Sequence, residues 1–447
     1  MYQTHSTIEK ITLFIKILLP ILVTQVGIYL MNVFDTVMAG QASSEDLAGV
    51  AIGSSIWIPV LTGINGILLA ISPIVAQLSG ANQRDKIPTA VKQGIYLAII
   101  ISAFMFTLGV FFLDSLLNIL SLEPEVRYIA KYYLVALGFG MLFLFSFNLM
   151  RSFIDALGQT KTSMLIILIA LPLNAFFNYL FIFGNWGVPE LGGIGAGVAS
   201  ALTYFITSII TIIIVQKVQP FRGYQIFNEL VRPSIKAWKE QLKIGVPIGI
   251  TIFFETSIFA AVTLFISVYD TVTIAAHQAA MNFASIFYMI PLAIAMALTI
   301  SVGFEVGGKR LIDAKVYSFI GISSGLFFAI LSGILIFILR EEVAQLYSNE
   351  PEVILLMQYF LIYAVFFQLS DGFGTPIQGA LRGYKDVNTT LVIAFISFWV
   401  IGLPTGIALA NLTALDPFGY WVGLITGLAT GAIILIMRLY YVVKTFS

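Results

Sequence analysis

Long apolar stretches broken by short polar ones run from end to end of this chain. Twelve of them reach the about 20 residues needed to cross a hydrocarbon core. They lie near 12–38, 47–78, 93–113, 127–150, 162–183, 192–216, 244–268, 274–304, 316–339, 353–380, 388–410 and 418–442. None shows the short two-residue alternation of barrel strands, so the pattern predicts an all-α polytopic membrane protein. Several stretches exceed the minimum, and many carry proline (Pro20, Pro59, Pro73, Pro172, Pro247, Pro291, Pro376, Pro404), so tilts and kinks are expected. The first stretch is too long for a signal-peptide core and carries Lys16 and Pro20 before Asn32 and Asp35, so it reads as a retained span.

Composition narrows the function classes. The chain is 59% hydrophobic and 10% charged, against about 25% charged in an ordinary soluble domain. That excludes a cytosolic enzyme and a disordered chain. The 23 basic and 23 acidic residues cancel, so no net field draws a polyanion and no nucleic-acid partner is expected. There is no cysteine, hence no disulfide, thiolate nucleophile or thiolate metal site. His5 and His277 lie far apart in sequence, which argues against a histidine-based metal site.

Charge placement predicts topology. With twelve spans, twenty of the 23 basic residues fall on one side, and only Arg127, Lys131 and Arg340 fall on the other. The positive-inside rule then puts both termini in the cytoplasm, with the chain in the plasma membrane of the cell. The halves also repeat. Gly80-Ala81-Asn82-Gln83-Arg84-Asp85 matches Gly308-Lys309-Arg310-Leu311-Ile312-Asp313 at an offset of 228, and Glu123-Pro124-Glu125-Val126 matches Glu350-Pro351-Glu352-Val353 at 227. Ala156-Leu157-Gly158 pairs with Ala380-Leu381-Arg382-Gly383 with one residue inserted. Ordered matches of this kind indicate duplication. Six spans per half give both halves one orientation, a parallel repeat about the membrane normal. The expected organisation is a six-helix lobe over 1–216, a basic cytoplasmic link over 217–243 and a second six-helix lobe over 244–447. The link carries Trp238 among lysines; it serves first as a positive-inside anchor and suits an interfacial helix.

Subtracting loop charges leaves three carboxylates deep in spans, Asp35, Glu255 and Asp371. Each costs about 2.5–3.5 kcal/mol at a helix centre. Every Lys and Arg falls in or near a loop, so none of the three is expected to have a basic partner within a span. A protonated carboxyl, a bound cation or a wet cavity remain as explanations. Isolated carboxylates suit a cation or proton that is bound and released. Asn174 with Asn178, and Gln278 with Asn282, each form an i, i+4 polar pair, for which interhelical hydrogen bonding is the commoner use. Phe253, Phe254, Tyr288, Phe366 and Phe367 lie near the acids in sequence or one helix away. Aromatic faces beside carboxylates suit a lipophilic organic cation, although packing is the commoner role of any one aromatic.

The runs Phe34-Asp35-Thr36-Val37-Met38-Ala39-Gly40, Ala275-Ala276-His277-Gln278 and Gly379-Ala380-Leu381-Arg382-Gly383-Tyr384-Lys385-Asp386 resemble the multidrug and toxic compound extrusion (MATE) family, in its NorM-type branch. Pro189-Glu190-Leu191-Gly192-Gly193 fits as well, and the resemblance covers essentially the whole chain. It implies a twelve-helix antiporter that exports organic cations in exchange for Na⁺ or H⁺, with no resident cofactor. By the same resemblance Glu255 and Asp371 match the carboxylates that hold the coupling metal ion in the second lobe, Tyr288 stands nearby, Asp35 matches an essential first-lobe aspartate, and Gln278 matches a drug-contact position. Asp35, Gln278, Asn282, Phe253, Phe367, Asn174 and Asn178 are the candidate substrate contacts. Some branches carry an aspartate where Asn174 and Asn178 stand, and some NorM-type members have a tyrosine near Phe367. Glu255 together with Asp371 favours Na⁺, and a proton could occupy the same groups.

The expected partners are therefore small organic cations, Na⁺ or H⁺ and the lipid bilayer, with the chain acting as a monomer. The alternative is a lipid-linked precursor flippase of the same superfamily, which would line its cavity with Arg or Lys. An enzyme would need a paired base or nucleophile constellation, and none is visible. A channel would show repeated filter sequences, also not visible.

Overall fold

The computed structural model describes residues 1–120 and 122–446, with the backbone alone for Phe446. Among the described residues are twelve helices long and apolar enough to cross a membrane. They are α1 (Thr7–Ala42), α2 (Ser44–Gly80), α3 (Ile87–Ile119), α4 (Pro124–Ala156), α5 (Thr160–Phe183), α6 (Gly193–Lys217), α7 (Ile235–Ile266), α8 (Thr271–Gly307), α9 (Leu311–Tyr347), α10 (Pro351–Gly383), α11 (Val387–Leu412) and α12 (Pro417–Phe446). The chain is an all-helical, multi-pass membrane protein. Most helices overrun the apolar stretches that announce them. α9 has 37 residues, about 55 Å at 1.5 Å per residue, so its ends extend past the hydrocarbon. Hydrophobicity marks the membrane, whereas the helix continues until a cap stops it.

Two spans are interrupted, each at a proline. In α2 the regular helix breaks at Leu69–Ala70. Pro73 has no N–H to give the Leu69 carbonyl, and the Ser72 N–H takes that carbonyl instead at 3.0 Å. In α11 residues Ile396–Gly402 form a π-helix. Pro404 cannot bond the carbonyl of Val400, so the turn before it widens. The widened segment packs on α12, where a side chain at Gly423 would collide with the backbone of Gly406.

The chain divides into two compact units, the first comprising Met1 and Leu19–Val246, the second Tyr2–Leu18 and Pro247 onward. In the first unit a core of Trp57, Tyr133, Phe145, Phe153 and neighbours is buried among α2 to α6. In the second, Phe360, Phe398, Tyr420 and Trp421 form the corresponding centre. The link differs from the interfacial helix its composition suits. Residues 235–243 are the first turns of α7 itself, preceded by a 3₁₀ turn at Phe221–Tyr224. The link is fastened to the first unit: the Gln93 amide donates to the Arg232 carbonyl at 2.8 Å and accepts from Ser234 N–H at 2.9 Å, while Gln241 donates to the Ala90 carbonyl at 2.8 Å.

Backbone geometry fixes the register of the repeat at 227 from the N-caps of α2 and α8 to the ends of α4 and α10. Ser43 and Asp270 are both N-caps whose side chains accept the N–H three residues on. Asn82 and Lys309 both have φ of 57°. Each is followed by a six-to-one bond that closes its helix, Gln83 to the Leu78 carbonyl and Arg310 to the Glu305 carbonyl, both 2.9 Å. Pro124 and Pro351 open α4 and α10. Gly158 (φ 77°) and Lys385 (φ 61°) end them in the left-handed conformation. The sequence register of 228 at Gly80 is therefore one residue off, and Gly158 pairs with Lys385 with no insertion. Side-chain identity misleads here because what repeats is a backbone shape that Asn, Lys and Gly fill in turn.

Candidate functional site

At the structural offset of 227, Asp35 corresponds to Val262, Glu255 to Ile28 and Asp371 to Leu144. The scaffold is duplicated, but the three carboxylates are not. Each unit therefore carries its own polar centre.

In the first unit Asp35 is buried on α1 and meets only neutral donors. Asn178 Nδ2 and Asn174 Nδ2 donate to Asp35 Oδ1 at 2.7 and 3.1 Å, and Ser200 Oγ donates to Oδ2 at 2.6 Å. Asn178 also donates to Asn174 Oδ1 at 3.3 Å. The i, i+4 spacing on α5 puts both asparagines on the face toward Asp35, and α6 supplies Ser200. Asn174 and Asn178 are thus tied to the carboxylate itself. Ser200 went unnoticed in the sequence because nothing separates it from the other small polar residues of α6.

In the second unit Glu255, Asp371 and Tyr288 line one cavity of about 350 Å³. Phe259, Phe367, Met281 and Met289 give it apolar walls, and Thr375, Gln378 and Ser397 give it neutral oxygens. Thr375 Oγ1 donates to Asp371 Oδ1 at 2.7 Å, and Gln378 Nε2 donates to Glu255 Oε1 at 2.5 Å. Asp371 Oδ2 and Ser397 Oγ are buried without a hydrogen-bond partner among the described residues. Phe367 packs edge-on against Phe259 at 5.6 Å between centroids.

One expectation, that the carboxylates lack a basic partner, needs correction. Arg382 is buried near the end of α10, and its Nη2 donates to Gln378 Oε1 at 3.2 Å, so Gln378 couples it to Glu255. Arg382 reads as a loop residue in sequence, but its side chain runs back along the helix, as side chains on helices do. Two further carboxylates are buried at helix ends, Asp155 in the last turn of α4 and Glu305 near the end of α8. Glu305 pairs with Arg310. His277 takes part in packing. Trp421 Nε1–H donates to its Nδ1 at 3.0 Å, and Thr263 Oγ1 lies 3.1 Å from Nε2. Trp can only donate, so Nδ1 carries no proton and the ring is the neutral Nε2–H tautomer.

The remaining candidates lie outside the cavity lining. Gln278 is exposed, Phe253 is 45% exposed and packs on Phe254, and Asn282 is exposed and accepts from Tyr347 Oη at 2.8 Å.

The MatE family model matches residues 20–180 and again residues 247–408. The chain belongs to the MATE family. The two matches to the MATE model begin 227 residues apart, at Pro20 and Pro247, in the register set by the caps and left-handed residues. A probable multidrug resistance protein NorM of Oceanobacillus iheyensis is 60% identical over 444 residues, 99% of each chain. One of Bacillus subtilis is 53% identical over 447 residues, 100% of this chain and 99% of that one. Among solved structures, an outward-facing multidrug resistance MATE family transporter of the MOP superfamily superposes with a TM-score of 0.90 at 17% identity, covering 100% of this chain and 99% of that one. A eukaryotic MATE transporter superposes at 0.88 and 17%, covering 98% of both chains. These likenesses establish the MATE fold, and the chain is a multi-pass protein of a transporter family.

Proposed function

We propose that this protein is a cation-coupled antiporter that exports lipophilic organic cations across the cytoplasmic membrane, with Na⁺ as the coupling ion. It works as a monomer by alternating access of its two lobes, with both termini in the cytoplasm. The observation that carries this reading is the second-unit cavity, where two carboxylates and one free carboxylate oxygen stand among aromatic and Met side chains. The relatives named as multidrug resistance proteins support it.

The mechanism follows from charge. With both acids ionised the cavity lining carries two negative charges, and Arg382, behind Gln378 and outside the lining, offsets one of them. One monovalent cation neutralises the other; a second would be left in a low-dielectric site without a counter-charge. Na⁺ and an organic cation therefore compete. Na⁺ would use Glu255, Asp371 and the oxygens of Tyr288, Thr375 and Ser397, with Asn174 and Asn178 holding Asp35 ready for a cation in the first unit. Aromatic walls favour the organic cation. Coupling needs only that the outward state prefer Na⁺ and the inward state prefer the drug. A flippase for anionic headgroups would want basic excess, and the described lining of this cavity holds two acids and no Lys or Arg. Dye export from proteoliposomes under an imposed Na⁺ gradient tests the proposal; loss of the gradient response on Asp371→Asn is expected.

A further inference from the structure

Arg127 and Lys131 break the charge segregation, and the transport cavity makes no use of them. Both stand at the N-terminal end of α4. They are four residues apart and so lie on one helix face. Glu123, the N-cap, lies one turn nearer the helix end. Asp114 of α3 answers one of the two cations: Lys131 Nζ lies 2.8 Å from Asp114 Oδ1, and Arg127 Nη2 lies 3.8 Å away. One positive charge remains.

Directly below, α2, α3 and α4 frame an open apolar groove of about 620 Å³. Leu134 and Val135, three and four residues beyond Lys131, begin its α4 wall, and Gly138 continues it. Trp57, Phe112 and Phe139 also line it. On α3 the lining runs from Met105 to Ile119, about 21 Å of helix, enough to cross half of an about 30 Å hydrocarbon core. Gly109 opens the floor: a Cβ there would meet no atom within 4 Å.

From the helix end inward, the order is acid, two cations, then apolar groove. We propose that this is a site for a zwitterionic aminophospholipid, with its ammonium toward Glu123, its phosphate on Arg127 and Lys131, and one acyl chain in the groove. The charge sequence is the complement of that lipid's own. A phospholipid without an ammonium would leave Glu123 facing a second anion. The site is defined by the α3–α4 end of the first unit, whichever leaflet that end occupies, and does not depend on the transport reading.

Native mass spectrometry of the full-length protein, with phosphatidylethanolamine or phosphatidylglycerol added to the micelles, tests this. The wild type should retain one phosphatidylethanolamine several-fold more than phosphatidylglycerol. That retention should fall at least fivefold in Arg127→Ala/Lys131→Ala and in Gly109→Leu, which projects a side chain into the groove from a position where a Cβ is free of contacts. Glu123→Gln should erase the preference between the two lipids. Equal retention of both lipids by the wild type, or retention untouched by both the cation and the groove variants, would overturn the site.

Discussion

Glu255 and Arg382 share one amide: Gln378 donates to Glu255 at 2.5 Å and accepts from Arg382 at 3.2 Å. The orientation of Gln378 is fixed by chemistry. A carboxylate only accepts and a guanidinium only donates, so the NH₂ must face the acid and the oxygen the arginine. Gln378→Ala removes both bonds from charged groups. A hydrogen bond to a charged group contributes about 1.5–3 kcal/mol, so loss of the one that positions Glu255 should weaken apparent Na⁺ affinity roughly ten- to 150-fold. Na⁺ dependence of dye export in vesicles measures this, and an unshifted curve would remove Gln378 from the site.

Asp371→Asn keeps an oxygen that can accept from Thr375 and removes only the charge. Export of ethidium-like dyes should be abolished, while the melting temperature and elution profile of the purified protein stay near wild type. Surviving dye resistance in cells expressing this variant would contradict the carboxylate role.

Asp35→Asn is also expected to fold. Its oxygen can still accept from Asn174 and Asn178, and its new NH₂ can face Ser200, whose hydroxyl is able to accept. Transport should be lost with surface expression retained. Transport at wild-type rate would make Asp35 a packing residue.

Lys309 sits at φ 57°, where a side chain costs about 1–2 kcal/mol relative to glycine's freedom. Lys309→Gly should therefore raise the thermal midpoint in detergent, and Gly158→Ala should lower it, since the added methyl would also meet Met1. The opposite order would show that the left-handed residues do not govern these helix ends.

The parts readable from sequence were those with a long-range signature. Twenty-residue apolar stretches announce membrane helices, and a carboxylate in a chain this poor in charge announces a site. Glu350-Pro351 echoed Glu123-Pro124 because both open a helix at the same place. The rest depended on which way a helix face turns. Asn282 and Tyr288 share α8 but point about 120° apart at 3.6 residues per turn, so one meets Tyr347 and the other the cavity. Ser200, Thr375 and Ser397 were hidden because small hydroxyls recur throughout these helices, many bonding a carbonyl one turn back, as Thr24 and Ser102 do. Arg382 was hidden by its position near a helix end.

The central claim, that Na⁺ and organic cations exchange at Glu255 and Asp371, is tested most directly in proteoliposomes at constant pH. An imposed Na⁺ gradient should drive dye against its own gradient in the wild type and fail to do so in both Glu255→Gln and Asp371→Asn. Dye movement that follows a pH gradient and ignores Na⁺, or that persists in both variants, would contradict it.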